Sequence, residues 1–456
     1  MGWLGSPGHP IRMPPPDRFR YDGYTIDTAE SAVVCHYAAG DQAFTERFAF
    51  ASGGDWADPA VLAAVRILYL LAGVSYYKTS AATVIDLGEL ATTAQERDFL
   101  RTFYVSGLAE FAYRNGLDLG GLRVEGPDAD SVAPAAFAPS PGRPLIPFGG
   151  GIDSIVTVAA LAPNHADAAL CVVEPPGNRY AAIEDAAAVT GLPVTRIERT
   201  IDPLVRRSAE LGFLNGHVPV TAVITAAVLV AAVLERRDAV VLSNEWSASV
   251  PTLVTNGLAV NHQWSKGEEF EFSFGEVVRA ALGPDISVFS FLRPRTELWV
   301  AEQFARLPEY HRTFRSCNRA FHQSPAERLD HWCGRCDKCC FVDLVLAPFM
   351  ERSELETVFA GDEPLQNPAN EERFRTLLGL GAGNKPFECV GDIDECRGAL
   401  VLAAQRQDRA GNELLTRLRA NLGDAAPADP TTLLEPRGTH RIPDRYAPPD
   451  LLVRAR

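Results

Sequence analysis

The chain has 456 residues, more than one typical domain holds, so two or three domains are expected. Its 46% apolar and 22% charged residues are those of an ordinary folded protein, while a net charge of −15 excludes a broad nucleic-acid grip, which needs a basic surface. A small basic pocket for a nucleotide stays compatible with that charge.

Residues 1–19 are rich in Gly and Pro and read as a flexible tail, with no signal-like apolar segment. The protein is therefore expected to be cytoplasmic, with neither nucleic acid nor membrane among its partners. Residues 20–125 are expected to form an N-terminal α+β domain. Within it, Ala32–Tyr37 and Phe44–Phe50 alternate like two antiparallel strands around an Ala-Gly-Asp turn. Helical patterns follow over Asp58–Ala72, with Asp58 as cap and Pro59 in the first turn, and over Thr93–Asn115. The Pro/Ala/Ser/Gly stretch 126–143 reads as a linker.

From residue 144 the pattern becomes strand–helix alternation. Strands are expected at Leu145–Phe148, Ala168–Val173, Pro193–Ile197 and Ala239–Ser243, and helices at Ile152–Leu161, Tyr180–Thr190 and Pro219–Leu234. This repeat predicts an α/β fold, a doubly wound parallel sheet covered on both faces, over 144–350. Val218–Leu234 is apolar apart from Thr221 and Thr225 and barely long enough to span a bilayer; a core helix is the favoured reading, because a buried-looking strand follows it. Residues 351–456 read as helical, then irregular from about Ala425.

The run Pro144–Ala160 carries Gly149, Gly150 and Gly151, then Asp153 and Ser154, between a strand and a helix. Glycines admit close approach of an oxyanion, and successive N–H groups at a helix start cradle phosphate. Ser154 adds a hydroxyl, and Asp153 can hold magnesium or its waters. It is not a Walker A loop, since no Gly-Lys-Ser/Thr follows at the required spacing. The loop resembles the S-G-G-x-D-S loop of the PP-loop ATP pyrophosphatases, with Gly149 where that family usually has serine. This resemblance implies ATP and magnesium as cofactors and formation of an adenylate.

Nine cysteines, four of them within Cys333–Cys340, do not suggest a secreted disulfide framework. C-x-x-C spacing lets two thiolates grip one tetrahedral metal ion, and the set Cys317, Cys333, Cys336 and Cys339 would close a structural zinc site. His331 and Cys340 stand in reserve, and the alternative is a set of reduced thiols or a redox pair. The same arrangement resembles the zinc knot of the 7-cyano-7-deazaguanine synthases.

Segments spread along the chain narrow the reading. Gly73–Lys78, Glu110–Leu119, Asn215–Val220, Leu242–Ser247, Asn261–Lys266, Cys333–Cys340 and Lys385–Gly391 resemble the MurL family over about Arg20–Leu400. The resemblance implies a PP-loop-type sheet with a zinc knot, and an isomerase that inverts the terminal L-glutamate of a UDP-muramoyl-dipeptide, using ATP and magnesium and releasing AMP and pyrophosphate.

Candidate residues follow, each against a plainer reading. Asn244 and Glu245 succeed a strand, where a nucleotide contact or magnesium ligand competes with a turn. His217 precedes an apolar helix, where a phosphate contact competes with a cap. Asn261, His262 and Lys266 lie in a polar loop suited to diphosphate or carboxylate. Tyr77, Lys78, Arg114, Asn115 and Arg293 are substrate-binding candidates, because an acidic substrate needs cations. For proton transfer the candidates are Cys340, Cys389, His262 and Glu245, with Asp153 serving the activation step. The rivals are another adenylating synthase, amide- or nitrile-forming, and a non-catalytic ATP-binding regulator.

Overall fold

The computed structural model describes residues 17–130, 133–255, 257–322, 324–381, 383–448 and 451. Most of the expected tail therefore lies outside the described residues, and its last residues already belong to a strand. Strands β1 (Arg18–Asp27), β2 (Ala32–Ala39) and β3 (Gln42–Phe50) form an antiparallel meander. Two short strands, β4 (Val84–Asp86) and β5 (Arg123–Glu125), add in parallel at its outer edge. Then come β6 (Ser140–Pro147), β7 (Ala169–Glu174), β8 (Val194–Ile201) and β9 (Arg237–Leu242). A small hairpin, β10 (Leu253–Thr255) with β11 (Leu258–Val260), precedes β12 (Ser287–Ser290).

All but the hairpin join one ten-stranded sheet of order β12-β9-β6-β7-β8-β3-β2-β1-β4-β5. The first five strands in that order are mutually parallel. The sheet then continues without a break into the N-terminal meander, because β8 pairs antiparallel with β3 from Glu46↔Ile201 to Phe50↔Ile197. The 126–143 stretch is not linker throughout: residues from Ser140 are strand, and Gly142 and Arg143 donate their backbone N–H groups to the buried Asp238 carboxylate.

Strand side chains alternate between two cores, as the period of two requires. Leu145, Ala169, Cys171, Val240 and Leu242 face one core, with helices Pro59–Ala72, Val220–Leu234 and Glu268–Leu282. Ile146, Leu170, Val172, Ala239 and Val241 face the other, with helices Ile152–Leu161, Ala181–Thr190, Glu297–Phe304, Asp337–Leu346 and Ile393–Ala404. The architecture is thus mixed α/β with a large, parallel-rich sheet covered on both faces.

Local chemistry explains the helix ends. Asp58 accepts from the Ala60 N–H at 2.8 Å, and Thr93 forms a capping box with Glu96. The expected helix Thr93–Asn115 is two pieces, Ala94–Gly107 and Ala109–Asn115, parted where glycine's low helix propensity meets a non-helical Leu108. Val220–Leu234 is a core helix, as its sequence suggests. Only Pro59–Tyr77 among the described helices is long and apolar enough to cross a membrane, and 83% of its apolar window is buried within the fold.

Candidate active site

The glycine loop joins β6 to helix Ile152–Leu161. Gly150 has φ +73°, and a Cβ there would sit 2.5 Å from the Ala182 carbonyl oxygen, so both its torsion and its space demand glycine. Gly151 occupies the N-cap with no side-chain cap, which leaves the first-turn N–H groups to a ligand. The Ser154 hydroxyl donates to the Gly151 carbonyl at 3.0 Å and so holds the loop's shape. Arg315, not singled out by its sequence, steadies the loop by donating its backbone N–H to Gly150 O at 3.3 Å.

Three carboxylates meet beside this loop. Asp153 lies in the helix's first turn after β6, Glu245 follows β9, and Glu297 opens the helix after β12. The strands β12, β9 and β6 are neighbours in that order, so the three side chains project from the carboxyl ends of adjacent parallel strands. One oxygen from each lies within 4.8 Å of the others. Asp153 Oδ1, Glu245 Oε1 and Glu297 Oε2 are buried without a hydrogen-bond partner. Burial, then the Glu245 charge, pushes Asp153 up to about 7. Burial, then Asp153 and Glu245, holds Glu297 well above the usual carboxylate range. Such crowding is unfavourable alone, and an all-oxygen donor set of this charge fits a hard divalent cation.

A second cluster lies alongside. Cys389, in the loop before helix Ile393–Ala404, accepts from Lys266 Nζ at 3.3 Å and is acted on electrostatically by His262. His262 Nδ1 donates to Glu110 Oε2 at 2.5 Å, and its ring packs on His217 with centroids 4.1 Å apart. Burial alone would raise the Cys389 thiol, but Lys266, His262 and Lys338 outweigh it and bring it down to about 6. Burial would lower His262, yet Cys389 and Glu110 hold it up at about 9. Burial and the neighbouring His262 charge push His217 down to about 4. Lys266 is held above its ordinary value, against burial, by Cys389, Glu245 and Asp153, which links the two clusters electrostatically.

Distant segments assemble this arrangement. Lys338 Nζ donates to Cys389 O, and a Cβ on Gly391 would meet Glu395 Oε2 at 2.8 Å and Phe341 at 2.9 Å. Phe387 packs under the Arg114 guanidinium, 4.7 Å from its ring centroid, and against Tyr113. The C-terminal loop thereby docks on the N-terminal helix Ala109–Asn115.

Several expected site residues take other places. Arg293 is a correction: it is 1% exposed and bonded to Glu271, Ser290 and the carbonyls of Glu245 and Lys266, so it buttresses the site from beneath. Cys340 is another: its helix turns it into the apolar core, away from the Cys389–His262 cluster, and burial raises its thiol. Tyr77 is buried and donates to Ala82 O at 2.9 Å, which withdraws it from a substrate. Asn261 staples its own loop, donating to Ala248 O at 2.9 Å and accepting from Gln263 N at 2.8 Å. Asn244 donates to Ser290 Oγ at 3.1 Å, tying β9 to β12. Lys78 donates to Asn215 Oδ1 at 2.7 Å, and Asn115 to Phe111 O and Asn215 O, at the His217 end of the site. Arg114 pairs with Glu110 at 2.7 Å.

Glu110, Glu297 and Lys338 went unsingled in the sequence. The signal for Glu297 was an acidic residue at a helix start, Thr296-Glu297, just after a strand; its weight depends on strand order, which no local pattern carries.

The thiols of Cys317, Cys333, Cys336 and Cys339 converge within 4.8 Å, with Cys336–Cys339 at 3.4 Å and Cys333–Cys339 at 3.6 Å. Thiolates about 2.3 Å from one tetrahedral ion lie ~3.8 Å apart, so the cluster fits a four-coordinate metal. His331 pairs instead with Asp330 and is exposed.

Family models account for most of the chain: the MurL N-terminal domain matches residues 12–291 and the MurL C-terminal domain residues 313–432. Among similar curated proteins, the UDP-N-acetyl-alpha-D-muramoyl-L-alanyl-L-glutamate epimerase of Xanthomonas oryzae pv. oryzae is 40% identical over 403 residues, covering 86% of each chain. The proteins of that name from Salinispora tropica and a Micromonospora species are each 38% identical, covering 94% of this chain and 95% and 97% of theirs. No solved structure matches. The segments that meet at the two clusters come from both matched domains, with Glu297 between them, and the relatives align along most of the chain: the chain belongs to the MurL family.

Proposed function

We propose that the protein inverts the terminal L-glutamate of UDP-N-acetylmuramoyl-L-alanyl-L-glutamate, for peptidoglycan precursor synthesis, after activating its α-carboxylate with ATP. The observation that carries this reading is the adjacency of a glycine loop at a helix N-terminus and a trio of buried carboxylates to a buried thiol–imidazole cluster. One half suits adenylation and the other suits proton transfer at carbon.

The chemistry requires both halves. An α-hydrogen beside a carboxylate is barely acidic, because its removal places a second negative charge on the same group. An acyl-adenylate removes the first charge and withdraws electrons, which brings an enolate within reach of a protein base. Gly149, Gly150, Gly151 and the helix N-terminus would cradle the ATP phosphates, in a PP-loop-type arrangement. Asp153, Glu245 and Glu297 would hold magnesium, which neutralises phosphate charge as pyrophosphate leaves. Hydrolysis of the adenylate releases the D-acid and AMP and makes the sequence irreversible. A UDP-linked substrate and ATP would both be met in the cytoplasm, which supports that compartment for the proposed reaction.

The test incubates the enzyme with ATP, magnesium and the L,L-substrate in heavy water. Deuterium at the glutamate α-carbon together with AMP is expected; AMP without deuterium sinks the reading. An ammonia requirement would favour the amide- or nitrile-forming rival, and ATP binding without pyrophosphate release the regulator.

The four-cysteine cluster is read as a structural zinc site, closed by protein ligands. Purified protein should carry stoichiometric zinc, and Cys336→Ser should lose it and melt at a lower temperature. Less than stoichiometric metal in the wild type rejects this assignment.

A further inference from the structure

We propose that Cys389 is the acid–base group on one face of the glutamate α-carbon, with His262 and Glu110 as its positioning residues. This rests on the epimerisation proposed above and names the group that would handle the carbon-bound proton on that face.

Elimination and geometry agree. Cys35, Cys171, Cys340 and Cys396 are buried in the two apolar cores. Cys317, Cys333, Cys336 and Cys339 belong to the metal cluster. Cys389 alone among the nine accepts from a lysine, Lys266 Nζ at 3.3 Å, with Lys338 donating to the Cys389 carbonyl and the His262 charge acting on its thiol. The other titratable groups of the region, the neutral His217 ring apart, are committed. Asp153, Glu245 and Glu297 face one another as cation ligands. His262 spends Nδ1 on Glu110 and is held above its ordinary value by Cys389 and Glu110. Lys266, held above its ordinary value by Cys389, Glu245 and Asp153, carries its proton and cannot accept another. Of the two bases left, the Cys389 thiolate and the His217 ring, the thiolate is the one paired with Lys266, which also interacts with the carboxylate trio where activation is proposed.

The step balances without a further reactant. The Cys389 thiolate takes the α-proton and becomes a thiol. The C–H bonding pair moves into the Cα–C bond, and the carbonyl π pair moves onto oxygen, giving an enolate. A proton delivered to the opposite face reverses that shift and leaves the inverted centre. The thiol then releases its proton to solvent. His262, held as a cation by Glu110, keeps the thiolate oriented and charged through each cycle.

Full-length, metal-replete Cys389→Ala and Cys389→Ser enzymes test this against the wild type. Two readouts are compared: substrate-dependent ATP–pyrophosphate exchange, and solvent deuterium entering the α-carbon. Positioned acid–base groups contribute about a hundred- to ten-thousandfold. Both variants are expected to keep pyrophosphate exchange within about threefold while deuterium entry falls at least about a hundredfold. Deuterium entry near the wild-type rate overturns the proposal. Equal loss of both readouts in a variant that melts like the wild type also overturns it, because the thiol would then serve activation. A hydroxylamine-cleavable acyl adduct on Cys389 in the wild type overturns it too, making the thiolate a nucleophile. Wild-type enzyme that forms no AMP and incorporates no deuterium would instead refute the proposed function itself. For the positioning residues, Glu110→Gln is expected to slow iodoacetamide alkylation of Cys389 near neutral pH, read on its own peptide, with Glu110→Asp restoring part. Unchanged alkylation would remove Glu110 from this role.

Discussion

Asp153→Asn is expected to lower AMP formation by about a hundred- to a thousandfold while leaving the protein at least as heat-stable as the wild type. The substitution keeps shape and removes charge. It takes one of three converging carboxylates from a site whose oxygens Asp153 Oδ1, Glu245 Oε1 and Glu297 Oε2 have no other partner. On the proposed function, a cation there would supply several kcal/mol of charge stabilisation to departing pyrophosphate, and about 1.4 kcal/mol is a factor of ten in rate. Stability moves the other way, because burial and the Glu245 charge both disfavour the ionised Asp153. Magnesium should correspondingly raise the melting temperature of the wild type more than that of the variant. AMP formation and thermal shift check both halves, and undiminished AMP release would refute the loop assignment.

Arg293→Met is expected to cost about 3–5 kcal/mol of stability, the range found when one partner of a buried ion pair is removed. Both Arg293 and Glu271 have side chains only 1% exposed, and Arg293 Nη2 lies 2.7 Å from Glu271 Oε2. The same guanidinium donates to the Glu245 carbonyl at 2.8 Å and to the Lys266 carbonyl. Loss of the arginine strands a buried carboxylate and frees the backbone beneath one metal-ligand candidate and the lysine partner of Cys389. Urea unfolding provides the measurement. Adding Glu271→Gln should recover part of the loss, since the uncompensated charge dominates it. A shift within about 0.5 kcal/mol for the single variant, as for a surface site, would overturn the buttressing role.

The elements legible in the sequence were those with strong local patterning. Helix Ile152–Leu161 has its expected bounds, because three glycines end one element and an unbroken apolar run starts the next. The β2–β3 hairpin announces itself by alternation around Gly40. β1 did not: Arg, Asp and Gly interrupt its apolar residues, and its register shifts between Tyr21 and Gly23, so period two is broken where it would have been read. β4 and β5 are three residues each, too short to show a period.

Side-chain roles divided along the same line. Cys340 directly follows the C-x-x-C run, but its helical position points it into the core. Arg293 reads as a cation awaiting an acidic substrate because its partner, Glu271, lies 22 residues earlier on another element. Lys266 and Cys389 are 123 residues apart, and His262 and Glu110 are 152 apart.

Local sequence by itself determined the alternation of strands and helices, the glycine loop and the cysteine spacing, because each depends on neighbours within a few residues. The tertiary structure alone decided which carboxylates share a site and which thiol meets a lysine and a histidine. Strand order put the ends of β6, β9 and β12 side by side, and docking of the loop at Cys389 on the helix at Glu110 closed the second cluster. Electrostatic coupling falls with distance in space and is blind to separation along the chain.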